Sequence, residues 1–157
     1  MALLVGRHVN KIDKKGRVSV PRSFRASFDG QGFSGIYAYP SFKYPAIEAC
    51  GEAFMTCISA SLDNMELYSE DQDDLAAAIL ESAHALAFDP EGRIVLPAPL
   101  LAHAGIDGEA VFVGRGSQMQ IWNEANYETH RLQALQRARS RGATLRLNPA
   151  APTEGQP

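Results

Sequence analysis

An internal repeat constrains the fold of this 157-residue chain more than any other feature of its sequence. Residues 12–25 and 88–101 align without a gap, at a spacing of 76 positions. The identical pairs are Asp13/Asp89, Gly16/Gly92, Arg17/Arg93 and Pro21/Pro97. The pairs that are apolar in both copies are Ile12/Phe88, Val18/Ile94, Val20/Leu96 and Phe24/Leu100. About one identity in fourteen positions is expected by chance, so the chain holds two copies of one supersecondary unit.

Each copy predicts a tight turn, a short strand and a helical turn, in that order. In the first copy, Asp13 can accept hydrogen bonds from nearby backbone amides, and Gly16 can take the positive φ that a tight hairpin requires. Val18 and Val20 then alternate with more polar residues, which is the pattern of a half-buried strand. Pro21 ends that strand, and a short helix follows.

Later segments predict the remaining elements. Strands are expected at residues 36–39, 110–113 and 119–122, the last two joined by a hairpin turn over 114–117. Ser69 is a predicted N-cap, and an apolar stripe marks the helix after it. The stripe consists of Leu75, Ile79, Ala83 and Leu86. A second helix is predicted from about residue 123 to 140.

These elements predict four segments along the chain. The first repeat occupies 1–68, a connecting acidic helix 69–87, and the second repeat with a C-terminal helix 88–141. Residues 142–157 are rich in proline and small residues and are predicted to be a disordered tail.

Charge is segregated along the chain, although the net charge is only −3. Residues 1–43 hold eight Lys and Arg against two acidic residues, whereas residues 44–92 hold eleven acidic residues and no Lys or Arg. The first copy carries +4 over its fourteen residues and the second copy −1. A basic N-terminal block of this kind favours binding to phosphate groups.

Other classes of function have little support in the residues. No apolar run reaches the roughly 20 residues that cross a bilayer, and the N-terminal apolar run is too short for a secretory signal. A cytoplasmic location is therefore expected. Cys50 and Cys57 lack zinc-site spacing and are interpreted as reduced thiols. Because the four histidines are scattered, no metal, cofactor or catalytic residue is expected. Asp73 and Asp74 are adjacent and do not face one another on a helix, which disfavours a hydrolase.

The two Asp-x-x-Gly-Arg copies, each followed by an apolar-x-apolar-Pro strand end and a short helix, resemble the MraZ family of bacterial transcriptional regulators. The resemblance spans about residues 4–135 and includes Gly6 and the stretches 113–116 and 121–122. It implies a mainly β fold with peripheral helices, α+β in content. In that fold, two tandem AbrB-type swapped-hairpin units form one pseudo-two-fold β-barrel, and the chains assemble into a ring-shaped homo-oligomer.

The same resemblance implies a sequence-specific DNA-binding regulator, a repressor or autoregulator. Its partners would be other copies of the chain and double-stranded DNA carrying short direct repeats, upstream of a division and cell-wall gene cluster that includes its own gene. The protein would be cytoplasmic and nucleoid-associated, with no membrane partner. The alternative is an antitoxin-like protein-interaction module with the same barrel, in which the acidic middle or the tail binds a basic partner protein.

The candidate DNA-binding residues are the basic positions in and around the first copy. They are Arg17, Lys15, Lys14, Arg7, Lys11 and Arg22. The predicted structural turn motif consists of Asp13, Gly16, Asp89, Gly92 and Arg93.

Three alternatives stay open for the basic residues. An intrachain Asp–Arg pair that fixes the turn competes with DNA contact for Arg17 and is favoured for Arg93. The two lysines of the first turn are alternatively an ordinary solvated turn. The C-terminal series is either a solvated helix face or an accessory nucleic-acid patch. That series consists of Arg131, Arg137, Arg139 and Arg141.

Overall fold

A computed structural model of the chain describes residues 3–149. The first copy forms β1 Arg7–Lys11, β2 Arg17–Ser19, α1 Arg22–Ala26, β3 Gly35–Pro40, β4 Ala46–Cys50 and α2 Glu52–Asp63. A linking helix follows, α3 Glu70–Leu75, continued by one π-helical segment, Ala76–Leu80. The second copy forms β5 His84–Ala87, β6 Arg93–Val95, α4 Ala98–Ala104, β7 Glu109–Gly114, β8 Met119–Trp122 and α5 Glu124–Arg141.

The two copies exchange strands. The larger sheet has six antiparallel strands in the order β1-β7-β8-β4-β3-β5. The first strand of each copy therefore pairs with the third strand of the other copy, β1 with β7 and β5 with β3. When the copies are interchanged the order is unchanged, which places a pseudo-two-fold axis between β4 and β8. This confirms the predicted mainly β fold with swapped hairpins and peripheral helices.

The strand pairing is that of an open sheet, not of a closed barrel. The edge strands β1 and β5 are not paired with one another, and β2 and β6 form a separate two-stranded ribbon. Across its strands, the first hairpin is linked by an isolated bridge between Ile12 and Val18 and by the Asn10 side-chain amide, which donates to the Ser19 carbonyl at 2.6 Å. Because the three-residue strand β2 pairs with β6 instead of continuing alongside β1, the hydrogen-bonded ring stays open.

One hydrophobic core joins the sheet to the ribbon. Val18 and Ile94, cross-strand partners in the ribbon, are each 1% exposed. They belong to the same buried cluster as Ile36, Ile47 and Phe112 of the larger sheet. Each copy therefore contributes one strand to the ribbon and one buried side chain to the shared core, because a three-residue strand is not stable without a partner.

The helix after Ser69 is shorter than its apolar stripe suggests. Ser69 caps it as predicted, its hydroxyl accepting from the backbone N–H of Gln72 at 3.2 Å. The helix ends at Leu80, and Leu86 lies instead on β5, buried and opposite Ile36. Pairing with β3 therefore overrides helical periodicity after residue 83, and the wider π turn also breaks the stripe's register.

The segment between β3 and the acidic helix resolves into a strand and a helix. β4 pairs with β3 on one side and β8 on the other, and Gly51 is the N-cap of α2. Trp122, predicted to be core, is 1% exposed and packs with Ala46 and Val111 in a second cluster.

The described chain divides into two compact units, the first ending at Tyr127 and the second beginning at Glu128. In the second, α5 runs on to Arg141, close to the predicted end, with an Arg131–Glu128 ion pair at 2.6 Å. Residues 142–149 have no regular secondary structure, and the rest of the predicted tail lies outside the described residues. Among the described helices, none combines the length and apolar character of a membrane span.

Candidate nucleic-acid interface

The Asp13 carboxylate organises the first turn. Its Oδ1 atom accepts from the backbone N–H groups of Lys15 and Arg17, both at 2.9 Å. Its Oδ2 atom accepts from the Nε of Arg17 at 2.7 Å. The backbone closes the same turn, since Gly16 N–H donates to the Asp13 carbonyl at 3.0 Å and Gly16 has a φ of +84°. Each identical position of the motif thus has a defined physical role in the turn.

The second turn repeats this geometry almost atom for atom. Oδ1 of Asp89 accepts from the N–H groups of Glu91 and Arg93 at 2.9 Å, and Oδ2 accepts from the Nε of Arg93 at 2.8 Å. Gly92 has a φ of +77°. The repeated sequence therefore specifies a repeated local structure.

Hydrogen bonding favours the ionised form of both carboxylates. The pKa of Asp13 is lowered, chiefly because the backbone N–H of Arg17 donates to it, and Arg93 lowers the pKa of Asp89 in the same way. The pKa of Arg93 is raised, chiefly by its side-chain hydrogen bond to Asp89. Such a carboxylate stabilises the fold above its ordinary pKa of 3.8, and this contribution is lost as pH falls through the lowered value. Both turns are therefore intact at neutral pH.

The two turns are joined by the β2–β6 ribbon. Arg17 pairs with Val95, Val18 with Ile94, and Ser19 with Arg93. Two backbone hydrogen bonds extend the ribbon, from Val20 N–H to the Gly92 carbonyl at 3.2 Å and from Leu96 N–H to the Gly16 carbonyl at 2.8 Å. Since Val18 and Ile94 point into the core, the alternate residues point outward. We call these outward residues the ribbon face: Arg17, Ser19, Arg93 and Val95.

Asp13 holds the Arg17 side chain in place but engages only part of its guanidinium group. Only its Nε bonds the carboxylate, and the side chain remains 39% exposed. Within residues 3–149, Asp13 is the only ion-pair partner of Arg17, and neither Nη group of Arg17 donates a hydrogen bond. The structural pair and a role in DNA contact are therefore compatible, because the carboxylate orients the guanidinium while its terminal donors stay free.

Comparison with known proteins assigns the family. A family model described as "MraZ protein, putative antitoxin-like" matches residues 79–147. The chain is 42% identical over 144 residues to the transcriptional regulator MraZ of Pelagibacter ubique (strain HTCC1062), across 92% of this chain and 93% of that protein. It is 39% identical over 146 residues to the transcriptional regulator MraZ of Rickettsia akari (strain Hartford), across 93% and 98% of the two chains. The chain belongs to the MraZ family.

In this MraZ-family chain, the two turns share a frame but differ in charge. The second turn has Pro90 and Glu91 where the first has Lys14 and Lys15. The Glu91 carboxylate lies 3.7 Å from an Nη atom of Arg93. Lys14 and Lys15 are both exposed. The basic end of the ribbon is therefore the first turn, although Arg93 extends the cationic surface across the ribbon face.

The remaining predicted DNA-binding residues flank the ribbon on other elements. Lys11 ends β1, is exposed, and lies opposite Glu109 of β7. Arg7 lies at the other end of β1, four residues and roughly 13 Å away along the strand. Arg22 is exposed at the start of α1. The structure thus brings Lys14, Lys15 and Arg17 into one turn. The other three predicted residues lie outside that turn, on β1 and α1.

Arg25 has a structural position that sequence reasoning missed. Its Nε donates to the Val20 carbonyl at 3.1 Å, and its guanidinium lies against Gly92, where any Cβ would collide with it. The aligned residue of the second copy, Leu101, lies next to Gly16 less tightly, with its Cδ1 atom 3.7 Å from where a Cβ would be. Each helix therefore packs on the glycine of the other copy's turn. The only sequence signal for this was the alignment of the two positions.

Metal chemistry has no site in the part of the chain that is described. Across residues 3–149, no three His, Cys, Asp or Glu side chains are grouped so that they could hold a metal ion. Cys50 and Cys57 are free thiols, one buried and one exposed. Burial, with a smaller effect from the Glu48 charge, raises the pKa of the Cys50 thiol to about 12, so it is protonated at neutral pH.

Proposed function

We propose that this protein is a sequence-specific DNA-binding transcriptional regulator whose ribbon face enters the major groove of the duplex. The observation that carries this proposal is Arg17, whose Nε is held by Asp13 and whose side chain is 39% exposed on a two-stranded ribbon. The major groove admits a two-stranded ribbon, and arginine there can donate two hydrogen bonds to guanine O6 and N7. Relatives named transcriptional regulators support the same function.

The basic residues divide into two roles. Arg17 contacts base edges, because its guanidinium is oriented and lies on the ribbon face. Lys14, Lys15 and Lys11 bind phosphates, since exposed ammonium groups on flexible stems position a protein on DNA without selecting bases. Arg7 and Arg22 extend the phosphate contacts beyond the ribbon. No reacting group is needed for this function, and the protein is proposed not to be an enzyme.

Several subunits act together on the DNA. A handful of phosphate contacts from one chain gives an affinity near the non-specific range of roughly 10⁻⁴ to 10⁻⁶ M. Linking two binding events can raise avidity by about a hundredfold or more when the spacing fits. The functional form is therefore a homo-oligomer, a ring as the family resemblance implies, bound to short direct repeats.

The regulated genes follow from the same resemblance. The protein represses a division and cell-wall gene cluster and its own gene, by binding direct repeats upstream of them in the nucleoid. A reporter gene behind that upstream region should become more active when the regulator is removed. Unchanged or lower expression of the reporter would contradict repression. It would not contradict DNA binding.

DNA binding itself is tested with the purified full chain and a labelled duplex from upstream of its own gene. Fluorescence anisotropy should show tighter binding to this duplex than to a shuffled duplex of equal length and composition. The logarithm of the association constant should fall with the logarithm of salt concentration, with a slope of about −0.9 per phosphate contact. Equal affinity for the two duplexes would exclude sequence-specific recognition.

An antitoxin-like interaction module is the second candidate, favoured by the description of the matching family model. In that case the acidic segment between residues 44 and 92 would bind a basic partner protein. Co-purification of a stoichiometric basic protein, together with no preference for the upstream duplex, would select this candidate over the first.

A further inference from the structure

The ribbon face carries one exposed apolar side chain. Val95 is 52% exposed and lies directly across the strands from Arg17. The equivalent position of the first copy is Ser19, which lies across from Arg93. The two ends of the ribbon therefore present different pairs to solvent, Arg17 with Val95 at one end and Arg93 with Ser19 at the other.

The surroundings of Val95 favour a nucleic-acid partner over an apolar protein surface. Its neighbour across the ribbon is one guanidinium, and two residues before it on the same strand face lies another, that of Arg93. Lys14 and Lys15 extend from the turn next to Arg17. A protein surface that covered Val95 would also have to neutralise these cations, whereas DNA supplies phosphates and apolar groups together.

The major groove offers one apolar group on its floor, the 5-methyl group of thymine, which apolar side chains contact. Residues opposite one another in an antiparallel pair have Cα atoms about 4.5–5.5 Å apart. This separation is between one and two times the rise between neighbouring base pairs, about 3.4 Å, a difference that the side chains can span. Side chains paired across the ribbon can therefore contact adjacent bases.

We propose that Val95 is a specificity residue that packs against the 5-methyl group of a thymine next to the base contacted by Arg17. This rests on the proposed function and adds to it the kind of base recognised at one end of the ribbon. It also fixes the orientation of the ribbon on the DNA, because the Arg93–Ser19 end has no apolar side chain equivalent to Val95. A frame with pseudo-two-fold symmetry thus recognises a site without that symmetry.

The test compares two forms of the upstream duplex, one containing thymine and one amplified with deoxyuridine in its place. Deoxyuridine keeps the base pairing and removes only the methyl group. The wild-type full chain should bind the thymine duplex more tightly, by about fourfold for each methyl group contacted. Val95→Ala and Val95→Ser should bind both duplexes equally, near the wild-type affinity for the uracil duplex.

Serine is a matched choice because Ser19 already occupies the equivalent place in the folded ribbon. Leu67→Ala is the control for removal of an exposed apolar side chain elsewhere, since Leu67 is 69% exposed and lies outside the ribbon. It should keep the wild-type ratio of affinities for the two duplexes. Comparing ratios removes any general effect of uracil on DNA shape, as in a double-mutant cycle.

The outcomes separate this assignment from the proposed function. If the wild type does not prefer the thymine duplex over shuffled DNA, the proposed function itself fails. If it does, but Val95→Ala keeps the full thymine preference, Val95 does not contact a methyl group. A change of oligomeric mass in Val95→Ala, measured by light scattering, would assign the side chain to a protein contact instead. Circular dichroism establishes that each variant is folded.

Discussion

At the scale of single residues, the two turn arginines have the same aspartate contact but different neighbours. Asp13 takes the Nε of Arg17, and Asp89 takes the Nε of Arg93, at nearly equal distances. The two arginines differ at their Nη atoms. The Glu91 carboxylate lies 3.7 Å from an Nη atom of Arg93, whereas the residue aligned with Glu91 in the first turn is Lys15. One neighbour therefore distinguishes a guanidinium available to DNA from one partly engaged within the chain.

Replacing Arg17 should separate DNA recognition from folding. Arg17→Ala is expected to weaken specific DNA binding by about 1–3 kcal/mol while the protein stays folded, because the backbone hydrogen bonds of the turn remain. Arg17→Lys should lose most of the same affinity, since lysine cannot donate in the bidentate geometry. Anisotropy titrations measure the loss. An unfolded Arg17→Ala variant, seen by circular dichroism, would show that the ion pair is structural above all.

At the scale of elements, the two turns are equal in backbone and unequal in surface. Both glycines are buried and have positive φ, and the carbonyl of each accepts a hydrogen bond from a backbone N–H of the other copy. The sequence differs where the backbone does not constrain it, as at Lys14 and Pro90. This separates the structural positions of the motif from those free to specialise.

Charge reversal should affect the two turns differently. Changing both Lys14 and Lys15 to Glu is expected to remove most DNA binding, because two phosphate contacts become repulsive. Glu91→Ala in the equivalent turn should change binding little. The salt dependence of binding, measured for both variants, checks the assignment. Equal losses from the two turns would place the DNA on a different face.

The turn glycine should tolerate no side chain. A Cβ on Gly16 would lie 2.7 Å from the backbone oxygen of Leu96, so Gly16→Ala must displace the partner strand. We expect a loss of more than about 2 kcal/mol in the free energy of unfolding. Gly30 is the control, because its φ of +83° carries a similar backbone cost with no atom within 4 Å of the Cβ position. Gly30→Ala should lose only about 1 kcal/mol in the same urea titrations. Equal losses would mean that contact with Leu96 does not matter.

At the scale of the whole molecule, the two copies within one chain exchange strands as the two subunits of a swapped dimer would. The strand order is symmetric under exchange of the copies, and the ribbon pairs one copy with the other at Val18 and Ile94. Such a unit has one ribbon face. Because that face holds few cations, we propose that affinity comes from several chains acting on one duplex.

Assembly should therefore show in the number of repeats bound. We expect a homo-oligomer of many subunits by light scattering, with far tighter binding to duplexes carrying two or three direct repeats than to one repeat. The direct orientation follows from head-to-tail contacts, which present neighbouring ribbons in the same sense, whereas a two-fold dimer prefers palindromes. A monomer that binds all three duplexes equally would contradict this prediction.

The sequence by itself determined the local structures. The Asp-x-x-Gly-Arg turns, the cap at Ser69, the hairpin around Gly114 and the extent of α5 were all predictable, because the hydrogen bonds and periodicities involved span only a few residues. The DNA-binding roles of the first turn's basic residues were also predicted from sequence, and they stay predictions.

Only the tertiary structure decided which distant segments of the chain pair or pack together. The pairing of Arg7 with Val113, the loss of Leu86 from the helix to β5, and the open sheet depend on contacts between residues far apart in the chain. The same holds for Val95, which is an ordinary strand valine in the sequence and an exposed neighbour of Arg17 in the fold. Local patterns could not predict these contacts, because each strand joins the partner that lets both copies bury their apolar faces in one core.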